Sequence, residues 1–216
     1  MNDYLRQADQ YITELLHLDD AALKATQQSV VQAWAHDIGV SPVQGNLLMV
    51  LAKMCGARKI LEVGTFFGYS TQWLARALPA DGQLITIEYD PQTAAHATEN
   101  FKRAGLEHMV KQLTGDALDI MPGLKAEAPF DLIFIDANKE PYAEYFELAL
   151  RLSKPGTVII ADNVIRHLFD VESTPEKKEG VARFNRLLAS CEAVDAAVFQ
   201  WVGEKTPDGM AIALVK

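Results

Sequence analysis

Leu61-Glu62-Val63-Gly64-Thr65-Phe66-Phe67-Gly68-Tyr69-Ser70 is the stretch on which the reading of the whole chain turns. Residues 59–63 are an apolar run of strand length, and the segment from Gly64 to Gly68 bends that strand into a helix reaching residue 78. Glycine directly after a strand lets the backbone approach a ligand closely. The helix start that follows offers unpaired N–H groups and a partial positive charge. That geometry suits a carboxylate or a phosphate, although many strand-to-helix turns need glycine for steric reasons alone. The spacing is not Gly-x-Gly-x-x-Gly, so the dinucleotide fingerprint is absent.

Working outward, the same alternation continues. Residues 84–88 read as the next strand, and Asp90-Pro91 starts a helix that ends at Gly105. Residues 110–113, 130–136 and 157–161 are further strands. A helix over residues 142–152 and a Lys154-Pro155-Gly156 turn separate the last two. Residues 181–188 read as helix. Strands at 197–202 and 210–215 close the chain around a Pro207-Asp208-Gly209 turn. Upstream, Ser41-Pro42 opens a helix that Gly56 closes. Before it, Tyr4, Leu5, Ala8, Ile12, Leu15 and Leu16, then Leu23, Val30, Val31 and Trp34, predict helix from residue 2 to about residue 37. The expected fold is α/β, a doubly wound, Rossmann-like, mostly parallel sheet with an antiparallel C-terminal hairpin and extra N-terminal helices. One domain over residues 1–216 is expected, with helices over 1–56 and the core over 57–216.

At 216 residues the chain has room for one compact core. A net charge of −9 argues against a partner met through phosphate-backbone contacts, so no nucleic acid is expected. Cys55 and Cys191 are far apart and form no Cys-x-x-Cys pattern, which predicts two buried thiols rather than zinc ligands or a disulfide. The N-terminus has no basic and apolar leader, and the longest apolar runs are too short to cross a bilayer. A cytoplasmic protein with no membrane partner is the expectation.

In such sheets ligands sit beyond the carboxyl ends of the strands. Glu88, about 24 residues past Gly64, ends the second strand, where its carboxylate suits the two hydroxyls of a ribose. Asp116 suits an adenine amino group, with Ala117 leaving room for the ring; Asp116 equally suits a helix N-cap. Asp136, Asp162 and Asn163 end two strands expected to be adjacent. They form a hard, all-oxygen donor set suited to Mg²⁺, Mn²⁺ or Ca²⁺. Each aspartate alone reads equally as a strand-end cap. Lys139 lies three residues past Asp136. A neighbouring cation and burial both disfavour its ammonium form, which suits a proton acceptor. Phe66, Phe67 and Tyr69 fit either a pocket wall or the core.

Together, the glycine stretch quoted above, Asp136-Ala137-Asn138-Lys139 and Ala161-Asp162-Asn163 resemble the cation-dependent O-methyltransferases. That family includes catechol and caffeoyl-coenzyme A O-methyltransferases and bacterial relatives. The resemblance runs from about Ser41 to Leu214, and the segment from Gly39 to Gly45 looks like the family's lead-in to its first long helix. It implies S-adenosylmethionine as methyl donor and Mg²⁺, or another divalent cation, on Asp136, Asp162 and Asn163, with Lys139 as base. It implies Glu88 at the ribose and Asp116 and Ala117 at the adenine. Gly64, Ser70 and the Val40 backbone fall at the methionine end, and Glu62, Thr65 and Asp136 complete the cofactor-binding set. The acceptor implied is a small aromatic hydroxyl compound of the catechol kind, and the assembly a homodimer. Ala137 and Asn138 stand where catechol O-methyltransferases carry bulky aromatics, which is closer to the caffeoyl-coenzyme A and bacterial branch. Residues 164–180 follow neither pattern, although that segment is expected to shape the acceptor pocket. The alternatives are a nicotinamide-dependent oxidoreductase on the same fold, or a methyltransferase with a non-catechol acceptor.

Overall fold

A computed structural model describes residues 3–34, 39–203 and 207–216. The chain opens with α1 (Asp3–Leu15), α2 (Ala21–Trp34) and α3 (Pro42–Met54). An alternating core follows: β1 (Lys59–Val63), α4 (Tyr69–Ala75), β2 (Gln83–Glu88), α5 (Pro91–Ala104) and β3 (Val110–Thr114). Next come α6 (Ala117–Ile120), a 3₁₀ turn at Met121–Ala126, β4 (Leu132–Ile135), α7 (Tyr142–Arg151) and β5 (Val158–Asp162). Two helices, α8 (Arg166–Phe169) and α9 (Pro175–Ser190), lead to β6 (Val194–Trp201) and β7 (Asp208–Val215).

Among the described residues the strands form one seven-stranded sheet ordered β3-β2-β1-β4-β5-β7-β6. β1 to β5 run parallel, while β7 pairs antiparallel with both β5 and β6. The expected α/β architecture and antiparallel C-terminal strands are therefore present. Strand order reverses between β1 and β4, and a sheet of this kind leaves a crevice at that reversal.

Helices cover both faces, which is why the central strands are apolar throughout rather than alternating. Leu132 and Phe134 of β4 pack on one side with Leu48, Trp73 and Leu74. Ile133 and Ile135 pack on the other with Met121, Phe146 and Phe184. Burying one such side chain contributes about 1.5–3 kcal/mol. Start signals worked as the residues predict: Ser41 and Gln44 form a reciprocal capping box on α3, and Asp90 caps α5 by accepting the Thr93 N–H at 2.7 Å.

Three expectations are corrected. The helical run at the N-terminus is broken: His17 adopts φ +51°, and Asp20 starts α2 by accepting the Ala22 and Leu23 N–H groups at 3.0 and 2.9 Å. Its residues 35–37 lie outside the described residues. Asp208 and Gly209 are not a turn; they pair with Trp201 and Gln200 in the β6–β7 ladder. The thiols of Cys55 and Cys191 are free as expected, but half-buried rather than buried. Among the described residues no helix is long and apolar enough to cross a membrane.

α3 and α4 touch through Gly45, where an added Cβ would overlap the Trp73 indole ring. Gly45→Ala is expected to cost about 1–3 kcal/mol by overpacking. Urea denaturation measures this, and unchanged stability would mean that the two helices are not in close contact.

Candidate active site

A cleft of about 540 Å³ opens at the carboxyl ends of β1 to β4. Its walls are the loops singled out by sequence: Gly64 and Phe66, then Glu88 and Tyr89, then Gly115, Asp116 and Ala117, then Asp136, Ala137 and Asn138. Pro141 and Tyr145 close it from the α7 side.

Gly64 has φ +97°, and a Cβ there would overlap the Asp136 carbonyl. Glycine is needed because two strand ends meet at that point. Phe66, itself at φ +51°, donates its N–H to Glu88 Oε2 at 2.7 Å, and the Asp90 N–H reaches Glu88 Oε1 at 3.0 Å. Glu88 is thus fixed by backbone, with one donor on each oxygen and lone pairs left for a ligand. Asp116 does both things open to it: it lines the cleft and caps α6, accepting the Leu118 N–H at 2.8 Å.

Not every expected residue reaches this cleft. Glu62 lies behind the glycine loop with no exposed surface. Its carboxylate accepts hydrogen bonds from Ser70 at 2.6 Å, Thr86 at 2.7 Å and Thr71, and Thr65 Oγ1 lies 2.6 Å from Thr86 Oγ1. Val40 packs in the core beside α3 and α4. Val40, Glu62, Thr65 and Ser70 therefore do not line the cleft, unlike Gly64, Glu88, Asp116, Ala117 and Asp136. Of the aromatics, Phe66 is wall, whereas Phe67 and Tyr69 are core.

At the other end, Ile135 pairs with Ala161, so the next residues, Asp136 and Asp162, end adjacent parallel strands. Burial, and then the Asp136 charge, push the Asp162 carboxyl above its ordinary value. Asn163 sits at φ +58° with its N–H on Asp162 Oδ1 at 2.9 Å. Lys139 is 7% exposed, and its Nζ donates to Asp136 Oδ1 at 2.9 Å and to the Tyr142 hydroxyl. Tyr142 in turn donates to the Asp162 carbonyl at 2.8 Å. Burial and the two nearby carboxylates hold that phenol well above its ordinary pKa, so it is a neutral hydroxyl.

Tyr142 and Gly180 pack against Lys139, and sequence reasoning singled out neither. A Cβ on Gly180 would overlap the Lys139 and Glu140 carbonyls, so α9 can lie against the lysine turn only with glycine there. The Lys139-x-x-Tyr142 spacing was the available signal for the phenol.

The arrangement fits a divalent cation. Two carboxylates are held side by side against their repulsion, with one ammonium beside them and oxygen as the shared donor type. Among the described residues no group of three His, Cys, Asp or Glu side chains is placed to hold a metal ion, so a three-ligand set would need Asn163 as its third member.

A family model described as O-methyltransferase matches residues 14–214. The chain belongs to the O-methyltransferase family. Among its relatives, a catechol O-methyltransferase of Niastella koreensis is 52% identical over 100% of this chain and 99% of that one. A catechol O-methyltransferase of Mycobacterium tuberculosis is 41% identical over 96% of this chain and 94% of that one. Two solved O-methyltransferases superpose with TM-scores of 0.94, each matching 100% of this chain. One, from Streptomyces achromogenes, is in complex with S-adenosylmethionine, shares 43% identity and is itself 99% covered. The other, from Bacillus cereus, is in complex with S-adenosylhomocysteine, shares 42% identity and is 100% covered. The enzyme class expected from the sequence stands, and the oxidoreductase alternative gives way to this O-methyltransferase membership.

Glu62 gives the site a pH signature. Burial raises its pKa from 4.5 to about 7, outweighing the three hydroxyl donors that pull it down. A folded-state pKa above the unfolded one stabilises the fold fully below pH 4.5, and that contribution is lost as the pH rises through about 7. Glu62→Gln removes this titration. The stability difference between wild type and variant is therefore expected to change across that window and to be flat above it. Denaturation at a series of pH values measures it; a flat difference throughout would put the carboxylate in contact with water.

Proposed function

We propose that the chain transfers the methyl group of S-adenosylmethionine to one hydroxyl of a catechol-type aromatic, with a divalent cation held by Asp136, Asp162 and Asn163. The observation that carries this reading is the pair of carboxylates on adjacent strand ends, with Lys139 against them and the cleft beside them. The S-adenosylmethionine bound in the Streptomyces relative, the S-adenosylhomocysteine bound in the Bacillus one, and the catechol named for two others support the choice of substrates.

The adenosyl part of the donor fits the 540 Å³ cleft. Glu88, anchored by the Phe66 and Asp90 N–H groups, accepts from the ribose hydroxyls. Asp116 accepts from the adenine amino group, and Ala117 leaves space for the ring. The methionine end lies toward Gly64, Ser70 and the Val40 backbone, with Glu62 and Thr65 bracing the loop from behind. When bound, a divalent cation supplies Lewis acidity toward a coordinated hydroxyl and a positive charge that disfavours the Lys139 ammonium. Once its own ammonium has released a proton to solvent, Lys139 Nζ takes the hydroxyl proton, and the acceptor oxygen forms its bond to the sulfonium methyl as the carbon–sulfur bond breaks. Tyr142 and Asp136 keep that nitrogen from swinging into solvent. Fixing two reactants in line accounts for about 7–11 kcal/mol of barrier in favourable cases.

One methyltransferase domain, with residues 1–56 as added helices, is part of the reading. So is a cytoplasmic homodimer that binds neither nucleic acid nor membrane. The exposed stripe of Tyr4, Tyr11 and Leu15 on α1 supports the dimer, and the net charge of −9 supports the absence of nucleic acid.

Transfer of labelled methyl groups to a panel of catechols and monophenols, with Mg²⁺ or with chelator, tests the proposal. Activity is expected on catechols with Mg²⁺ only, and Asp136→Ala or Asp162→Ala is expected to abolish it. Full turnover in chelator would remove the cation from the mechanism. Transfer to monophenols alone would point to a non-catechol acceptor. Lys139→Ala is expected to lower kcat by about 10²–10⁴-fold, with S-adenosylmethionine affinity by calorimetry nearly unchanged. A large loss of that affinity would reassign the lysine to the donor site.

A further inference from the structure

Asp208 opens β7, is 7% exposed and does not line the cleft. One of its oxygens, Oδ1, accepts three backbone N–H groups, from Ile165 at 3.1 Å, Arg166 at 2.8 Å and its neighbour Gly209 at 2.7 Å. The other oxygen lies 3.4 Å from Arg166 Nε. The three N–H bonds to Oδ1 are charge-assisted and stronger than neutral ones, whereas Oδ2 and Arg166 Nε form an ion pair without a hydrogen bond. Gly209 continues the grip: its carbonyl accepts the Val164 N–H at 3.0 Å, and Ile165 fills the space a Cβ would take. From α9, Asn185 Nδ2 donates to the Val164 carbonyl at 2.8 Å.

These contacts bracket Asn163. On its near side, the β5–β7 ladder pairs Asp162 with Met210. On its far side, Val164, Ile165 and Arg166 are tied to Gly209 and Asp208. Asn163 spans the interval at φ +58°, in the left-handed region that asparagine adopts more readily than most residues other than glycine.

We propose that Asp208 is a positioning residue for the cation end of the site: by accepting the Ile165 and Arg166 N–H groups it fixes the backbone beyond Asn163, and with it the oxygens of Asp162 and Asn163. This rests on the reading of Asp136, Asp162 and Asn163 as cation ligands. Asp208 touches no substrate, and a role confined to shaping the β6–β7 hairpin would leave cation affinity unmoved.

The test is Mn²⁺ affinity, read from the electron paramagnetic resonance of the free ion, with S-adenosylhomocysteine present and no acceptor. Asp208→Ala is expected to weaken Mn²⁺ binding by about 10–100-fold, the range for residues that orient a metal ligand. S-adenosylhomocysteine affinity, by calorimetry, is expected to be unchanged. Asp208→Asn keeps an amide oxygen for the same N–H groups without the charge; it is expected to fold even where the alanine variant does not, and to lose a smaller but measurable factor. Wild-type Mn²⁺ affinity in every Asp208 variant that folds overturns the proposal and leaves the ligand assignment intact. Failure of the unaltered chain to bind Mn²⁺, or unchanged binding by Asp162→Ala, overturns the ligand assignment and the proposal with it.

Discussion

Two carboxyl groups brought to neighbouring strand ends are the constraint around which this site is built. The parallel pairing of β4 with β5 puts Asp136 beside Asp162. Burial at Asp162 sharpens the repulsion, because charge is screened less away from water. The surroundings respond with a buried ammonium on Asp136 and a phenol that ties that ammonium to the β5 carbonyl. The packing around this cluster is close. Glycine is required at Gly64 against the Asp136 carbonyl and at Gly180 against the Lys139 carbonyl.

The two ends of the cleft are built differently. The end proposed for the donor relies on backbone: Glu88 is aimed by two N–H groups, and the loop above it rests on a hydroxyl network around Glu62. Rigid backbone is suited to a constant ligand. The opposite end relies on side chains from β4, β5 and α7, braced from outside by α9 and the start of β7. Phe184 of α9 meets the Tyr142 ring edge-on at 5.7 Å, which links that brace directly to the lysine.

Much of this was legible in the residues, for identifiable reasons. Cap-and-proline starts at Ser41-Pro42 and Asp90-Pro91, and the glycine ends, fixed the core helices. The acids at strand ends marked where the cleft opens, with Glu88 and Asp136 on its wall, because a parallel sheet brings such positions together whatever lies between. What failed was local signal overridden by context. Apolar spacing continues through His17 to Asp20, so the break between α1 and α2 was invisible, although Asp19-Asp20 offers a cap. The first half of α9 is charged and shows no apolar rhythm. Its Thr174-Pro175 start is the same signal that succeeded at Ser41. Pro207-Asp208-Gly209 has turn chemistry, yet the Asp208 side chain is engaged by the segment after β5. Sequence also could not separate residues on the cleft wall from those just behind it, as Glu62, Thr65 and Ser70 illustrate.

The segment between β5 and α9 is anchored at its ends and exposed in the middle. Gly209, Asp208 and Asn185 grip residues 164–166, and Thr174 caps α9 through the Lys177 N–H at 3.4 Å. Between them, Phe169 is 78% and Val171 91% exposed. Residues there carry little of the framework, so natural variation can accumulate in them without disturbing strand pairing or either helix. Exposed positions of this segment can therefore be rewritten without altering the strand ends that carry Asp136 and Asp162.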